Sequence, residues 1–147
     1  MFLSTAKQDQ TSQTSSSPST TYRELSPMED PRSPFFLHHG ESPSAILVTQ
    51  PLTKDNYPNW ARVMRMALDV KSKLGFVDGT ITTSMAITPL EKIAWSKNNS
   101  MISSWILNLV SPHISGSVIY RNTAMEVWNS LRNHFSQANG PDRKSVV

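Results

Sequence analysis

Cysteine is absent from the 147 residues. That excludes disulfide frameworks, thiol catalysis, cysteine-type zinc sites and iron–sulfur clusters together. No apolar run approaches the ~18 residues that cross a bilayer, so no membrane partner is expected. Met1 to Lys7 lacks a basic stretch followed by a sustained apolar one, which argues against a secretory signal. Asp9, Glu24, Glu29 and Asp30 argue against an organelle transit peptide, in which acids are scarce. The expected location is cytoplasmic, with the nucleus as the alternative. Apolar residues make up 37%, low for a chain packed from end to end. Basic side chains never run longer than two in a row, so no strong phosphate-binding footprint stands out.

What is present divides the chain. Residues 1–34 hold thirteen Ser or Thr, interrupted by Pro18, Pro27, Pro31 and Pro34. So few apolar groups cannot offset the entropy of ordering, which predicts a disordered leader. Ser17-Pro18, Ser26-Pro27 and Ser33-Pro34 suggest a phosphorylated tail as the functional alternative to an unselected leader. Residues 35–54 carry two short apolar runs, Phe35-Phe36-Leu37 and Ala45-Ile46-Leu47-Val48. They read as a short strand or an extended arm on the core.

Residues 55–138 change to a helical period. One helix is predicted over about 57–72, with Asn56 as N-cap and Pro58 in the first turn. Trp60, Val63, Met64, Ala67 and Leu68 recur at spacings of three and four. Gly75 reads as its C-terminal cap region and Asp78-Gly79 as a turn. Thr88-Pro89-Leu90-Glu91 is a capping box that opens a second helix ended by Pro112. Ile93, Ala94, Met101, Ile102, Trp105, Ile106 and Leu109 form its apolar positions. Residues 112–120 fit one helical turn ended by Gly116, or a short strand. Thr123 and Glu126 make a second capping box for a helix over about 124–136, and residues 139–147 read as a flexible tail. The expected class is all-α, a small bundle of three to five helices. Its core is expected to contain Trp60, Met64, Leu68, Trp105, Ile106, Trp128, Leu131 and Phe135.

No reaction centre emerges from these residues. The folded part has six acids, and Asp69, Glu91 and Glu126 have simple surface or capping roles. His38-His39 lacks a spaced third ligand, while His113 and His134 sit alone near helix ends. No Gly-x-Ser-x-Gly elbow, phosphate loop or Asp-Thr-Gly motif occurs. No enzymatic activity, cofactor, metal or small-molecule substrate is therefore expected. Residues 1–44 carry net −2 and residues 45–147 net +5. That imbalance motivates the alternative of a non-specific RNA-binding module using Arg62, Arg65, Lys71 and Lys73, with Arg143-Lys144 as further candidates.

Several motifs recur together in order. They begin with Ile46-Leu47-Val48 and Leu52-Thr53-Lys54-Asp55-Asn56-Tyr57-Pro58-Asn59-Trp60. Met64-Arg65-Met66-Ala67-Leu68 and the run from Lys71 to Ile81 follow. Trp95, Asn98, Trp105-Ile106-Leu107-Asn108 and Pro112-His113-Ile114 come next. The series closes with Thr123 to Leu131 and Phe135-Ser136-Gln137. Over His38 to Gln137 the chain resembles the N-terminal Gag domain of copia-type LTR retrotransposons, common in plants. The resemblance implies a non-enzymatic helical capsid protein that self-associates with Gag-like chains into particles packaging RNA. Family sequences continue past this segment into further helices and a zinc knuckle, whereas here Gly140-Pro141-Asp142-Arg143-Lys144 leads to the end. The expectation is thus the front, C-terminally truncated portion of a capsid protein, intact in assembly or an inactive fragment.

Overall fold

A computed structural model describes residues 24–139. Among them are five α-helices and no strand: α1 Tyr57–Val70, α2 Gly75–Asp78, α3 Pro89–Leu107, α4 Pro112–Val118 and α5 Ala124–Asn139, with a 3-10 turn at Thr83–Met85. The class is all-α. Helix α5 is the hub. It packs on α2, α3 and α4, and Trp60 and Tyr57 of α1 stack on its Trp128 and Phe135 at 5.9 and 5.1 Å. The sequence-assigned core residues Trp60, Met64, Leu68, Trp105, Ile106, Trp128, Leu131 and Phe135 are all buried. Burial of each side chain of this size contributes roughly 1.5–3 kcal/mol.

The capping boxes form as their spacing dictates. The Glu91 N–H donates to Thr88 Oγ1 at 3.1 Å, and the Thr88 N–H donates back to Glu91 Oε1 at 3.0 Å. Thr123 and Glu126 repeat the exchange at 3.1 and 3.3 Å. Together these satisfy N–H groups that the first turns of α3 and α5 leave without helical partners.

Local readings fail where a longer-range contact or a backbone motif intervenes. Helix α1 stops at Val70, not at residue 72. Its cap is Ser72, with φ 61°, and not the Gly75 region. The Ser72 N–H donates to Asp69 O and the Lys73 N–H to Leu68 O, the paired bonds of a Schellman end. Gly75 instead opens α2, which Gly79 closes at φ 92°. Asn56 does stand at the N-cap of α1, its carbonyl accepting the Trp60 N–H at 2.8 Å, but its side chain makes no cap bond. Its Oδ1 accepts from the Thr53 N–H, and its Nδ2 donates to Pro51 O, pinning the preceding loop. Helix α3 ends at Leu107, short of Pro112; tighter turn bonds follow, from the Leu109 N–H to Ile106 O and the Val110 N–H to Leu107 O, and Leu109 O accepts the Leu52 N–H at 2.6 Å. Val110 then pairs with Leu52 as an isolated parallel bridge. Helix α4 settles the ambiguity at 112–120 and runs through Gly116 to Val118.

Residues 24–34, which composition places in the leader, form hydrogen-bonded turns. The Glu29 and Asp30 N–H groups donate to Ser26 O, and the Ser33 N–H donates to Asp30 O. The Ser-Pro and Asp-Pro pairs supply turn geometry without a core. The remainder of the expected leader, residues 1–23, and the tail from Gly140 with its Arg143-Lys144 pair lie outside the described residues.

Candidate interaction surfaces

The arm reading at 35–54 leads to the most polar seam of the molecule. Phe35, Val48 and Leu52 are buried anchors along this segment. Along this stretch, side chains of α3, of its C-cap and of the turn after α1 donate to the arm's backbone carbonyls. Asn98 Nδ2 reaches Phe35 O at 2.8 Å, and Lys73 Nζ donates to Phe36 O. Trp105 Nε1 donates to Ser42 O and Asn108 Nδ2 to Pro43 O, each at 2.7 Å. Lys71 Nζ pairs with Glu41 at 2.9 Å and lies 5.2 Å from the Trp105 ring centroid. The arm has no ladder of its own, so these donors satisfy carbonyls that approach the core. Nearby, Asn99 crosses to the next helix: its Oδ1 accepts the Ala124 N–H at the start of α5, and its Nδ2 donates to Asn122 O.

This seam redistributes the four cations that the sequence offers to RNA. Lys73 is only 4% exposed, and burial pushes its ammonium down to about 8 against the opposing pull of Glu41. Lys71 is held by Glu41. Both ammonium groups contact the arm, Lys73 buried against it and Lys71 with 30% of its side chain still exposed. Arg62 and Arg65 are exposed on α1. Burial raises the Tyr57 phenol, while the charges of Arg132 on α5 and Arg65 on α1 act to lower it. Arg132 is the contributor that a reading restricted to α1 misses.

The outer surface also carries apolar groups. Val63, Met66 and Val70 of α1 are 39%, 57% and 85% exposed. An open groove of about 570 Å³ lies between Leu37 and Pro43 of the arm and Ser96, Ser100, Met101 and Ser104 of α3. Among the described residues no three His, Asp or Glu side chains group as metal ligands. His38 and His39 stack on each other at 4.9 Å. Glu91 is held below the usual carboxylate range by the Thr88 and Ile87 N–H groups, which marks it as a cap. No helix of the described residues is long and apolar enough to cross a membrane.

These features define a small all-α domain with exposed apolar and basic side chains on α1. Residues 38–90 match the family described as the Gag-polypeptide of LTR copia-type. That stretch covers most of the arm, α1, α2 and the start of α3. The chain is 28% identical over 90 residues to the retrovirus-related Pol polyprotein from transposon RE1 of Arabidopsis thaliana, across 55% of this chain and 6% of that protein. It is 27% identical over 89 residues to the corresponding polyprotein from transposon RE2 of the same plant, with the same coverage. No solved structure matches. Over residues 38–90 the chain is thus similar to copia-type Gag, and it spans only 6% of the length of the curated relatives it matches.

Proposed function

We propose that this domain is a structural, non-catalytic module of copia-type Gag whose role is self-association, as a building block of a capsid-like assembly. The observation that supports this most directly is the exposed stripe of α1, Val63, Met66 and Val70, on a body whose core is otherwise filled. Exposed apolar patches on a well-packed domain mark contacts with other macromolecules. Size-exclusion chromatography with light scattering at rising concentration tests the reading. Average mass should climb above that of a monomer, and a strict monomer at the highest concentration would reject it.

A second reading, non-specific RNA binding, has support from exposed cations on two helices, Arg62 and Arg65 of α1 and Arg132 of α5. Three phosphate contacts to a single strand would give a slope of about −2 in log affinity against log salt. RNA retention that is absent at low salt would remove this reading.

A further inference from the structure

We infer that α1 is the self-association face, and that it pairs antiparallel with α1 of a second copy about a two-fold axis beside Met66. This rests on the self-association reading above and specifies its geometry. Helix α1 has two apolar faces. Trp60, Met64 and Leu68 are buried against the body. Val63, Met66 and Val70, spaced by three and four residues, form a second, exposed stripe, and Val63 at its N-terminal end also borders a hollow beside Val48, Thr49 and Gln50 of the arm.

The charges beside that stripe choose the partner and its direction. Arg62 and Asp69 are seven residues apart, two helical turns, so they share one flank of the stripe. Both are exposed, and neither has an ion-pair partner among the described residues. Antiparallel helices related by a two-fold axis bring the same flank of each copy together. Val63 then meets Val70 of the second copy and Met66 meets its own equivalent. Arg62 meets Asp69 of the second copy, and symmetry repeats that pair. A parallel arrangement sets Arg62 near Ala67 of the other copy and leaves both charges unmatched. In a single copy, Asp69 sits in the last turn of α1, at the negative end of the helix dipole. Pairing supplies the counter-charge that the helix itself lacks there. Three apolar side chains from each copy fall below a standard interface, so the pairing is weak and suited to repetition in an assembly.

The full chain has no native cysteine, so an introduced thiol is unique. Met66→Cys should form a covalent dimer under mild copper–phenanthroline oxidation, and Lys97→Cys on exposed α3 should not. Arg62→Asp or Asp69→Arg alone should weaken self-association by about tenfold or more through like-charge contacts, while the double variant restores it. Unchanged thermal unfolding would confirm that each variant folds. If the chain associates but Met66→Cys stays monomeric and the charge reversals change nothing, this face is wrong and the broader reading survives. If the unaltered chain is monomeric throughout, both fall. If pairing appears only after residues 1–23 are removed, the chain's own leader covers the stripe and the inference is overturned.

Discussion

Replacing Trp105 with alanine probes the body and the arm together. Trp105 is fully buried and heads the largest enclosed side chains of the core. Its indole N–H also holds Ser42 O at 2.7 Å. Removing a buried aromatic of this size costs about 3–5 kcal/mol, most of it from lost transfer and an uncollapsed cavity. Leaving the Ser42 carbonyl without its donor adds about 1 kcal/mol. A domain of this kind has only about 5–15 kcal/mol of total stability, so the variant should be near its folding threshold. With about 4 °C per kcal/mol for a domain near 100 residues, melting should fall by roughly 15–25 °C. Thermal and urea unfolding followed by circular dichroism measures this. Trp105→Phe separates the two contributions. It keeps most of the packing, loses the donor, and should cost about 1–2 kcal/mol. Hydrogen exchange should then quicken first around residues 35–43. A melting shift near zero for Trp105→Ala would refute the assignment of this side chain to the core.

Other expectations follow from single contacts. The Lys73 ammonium is held at about 8, below its ordinary 10.5. The unfolded chain therefore binds more protons between those values, and stability should rise with pH across that window. Lys73→Met should abolish the rise, read as urea midpoints from pH 7.5 to 9.5; an unchanged slope would show that Lys73 does not cause it. Thr88→Ala removes the N-cap of α3 and should cost about 1 kcal/mol in denaturant unfolding. Ser72 sits at φ 61°, so Ser72→Gly should gain about 0.5–1 kcal/mol, provided the Schellman end is kept. Gly79→Ala should lose about 1–2 kcal/mol from backbone strain at φ 92°. The new Cβ would lie 3.4 Å from Met125 Sδ, so crowding contributes little.

What was legible in the sequence was local. The two capping boxes follow from residue types three apart, and the buried stripes of α1, α3 and α5 follow from helical spacing. The arm clamp was not legible. Asn98 looks like one member of a polar patch in mid-helix, yet its amide meets a carbonyl 63 residues away. Lys71 and Lys73 look like solvent-facing cations, and only the path of the arm turns them inward. The αL position at Ser72 carries no glycine to announce it. The helical state of 112–118 depends on packing against α5, which its own Gly116 and β-branched residues obscure. The exposed stripe of α1 hid for a different reason: Val63 belongs to the same apolar periodicity as the core face, and only burial separates the two.

The role proposed for this domain is contact with copies of itself. Sedimentation equilibrium of the full chain, from micromolar to near-millimolar concentration, tests it most directly. The average mass should rise steadily above the 16.4 kDa of one chain and fall back toward it for Arg62→Asp. A mass of 16.4 kDa at every concentration would contradict it.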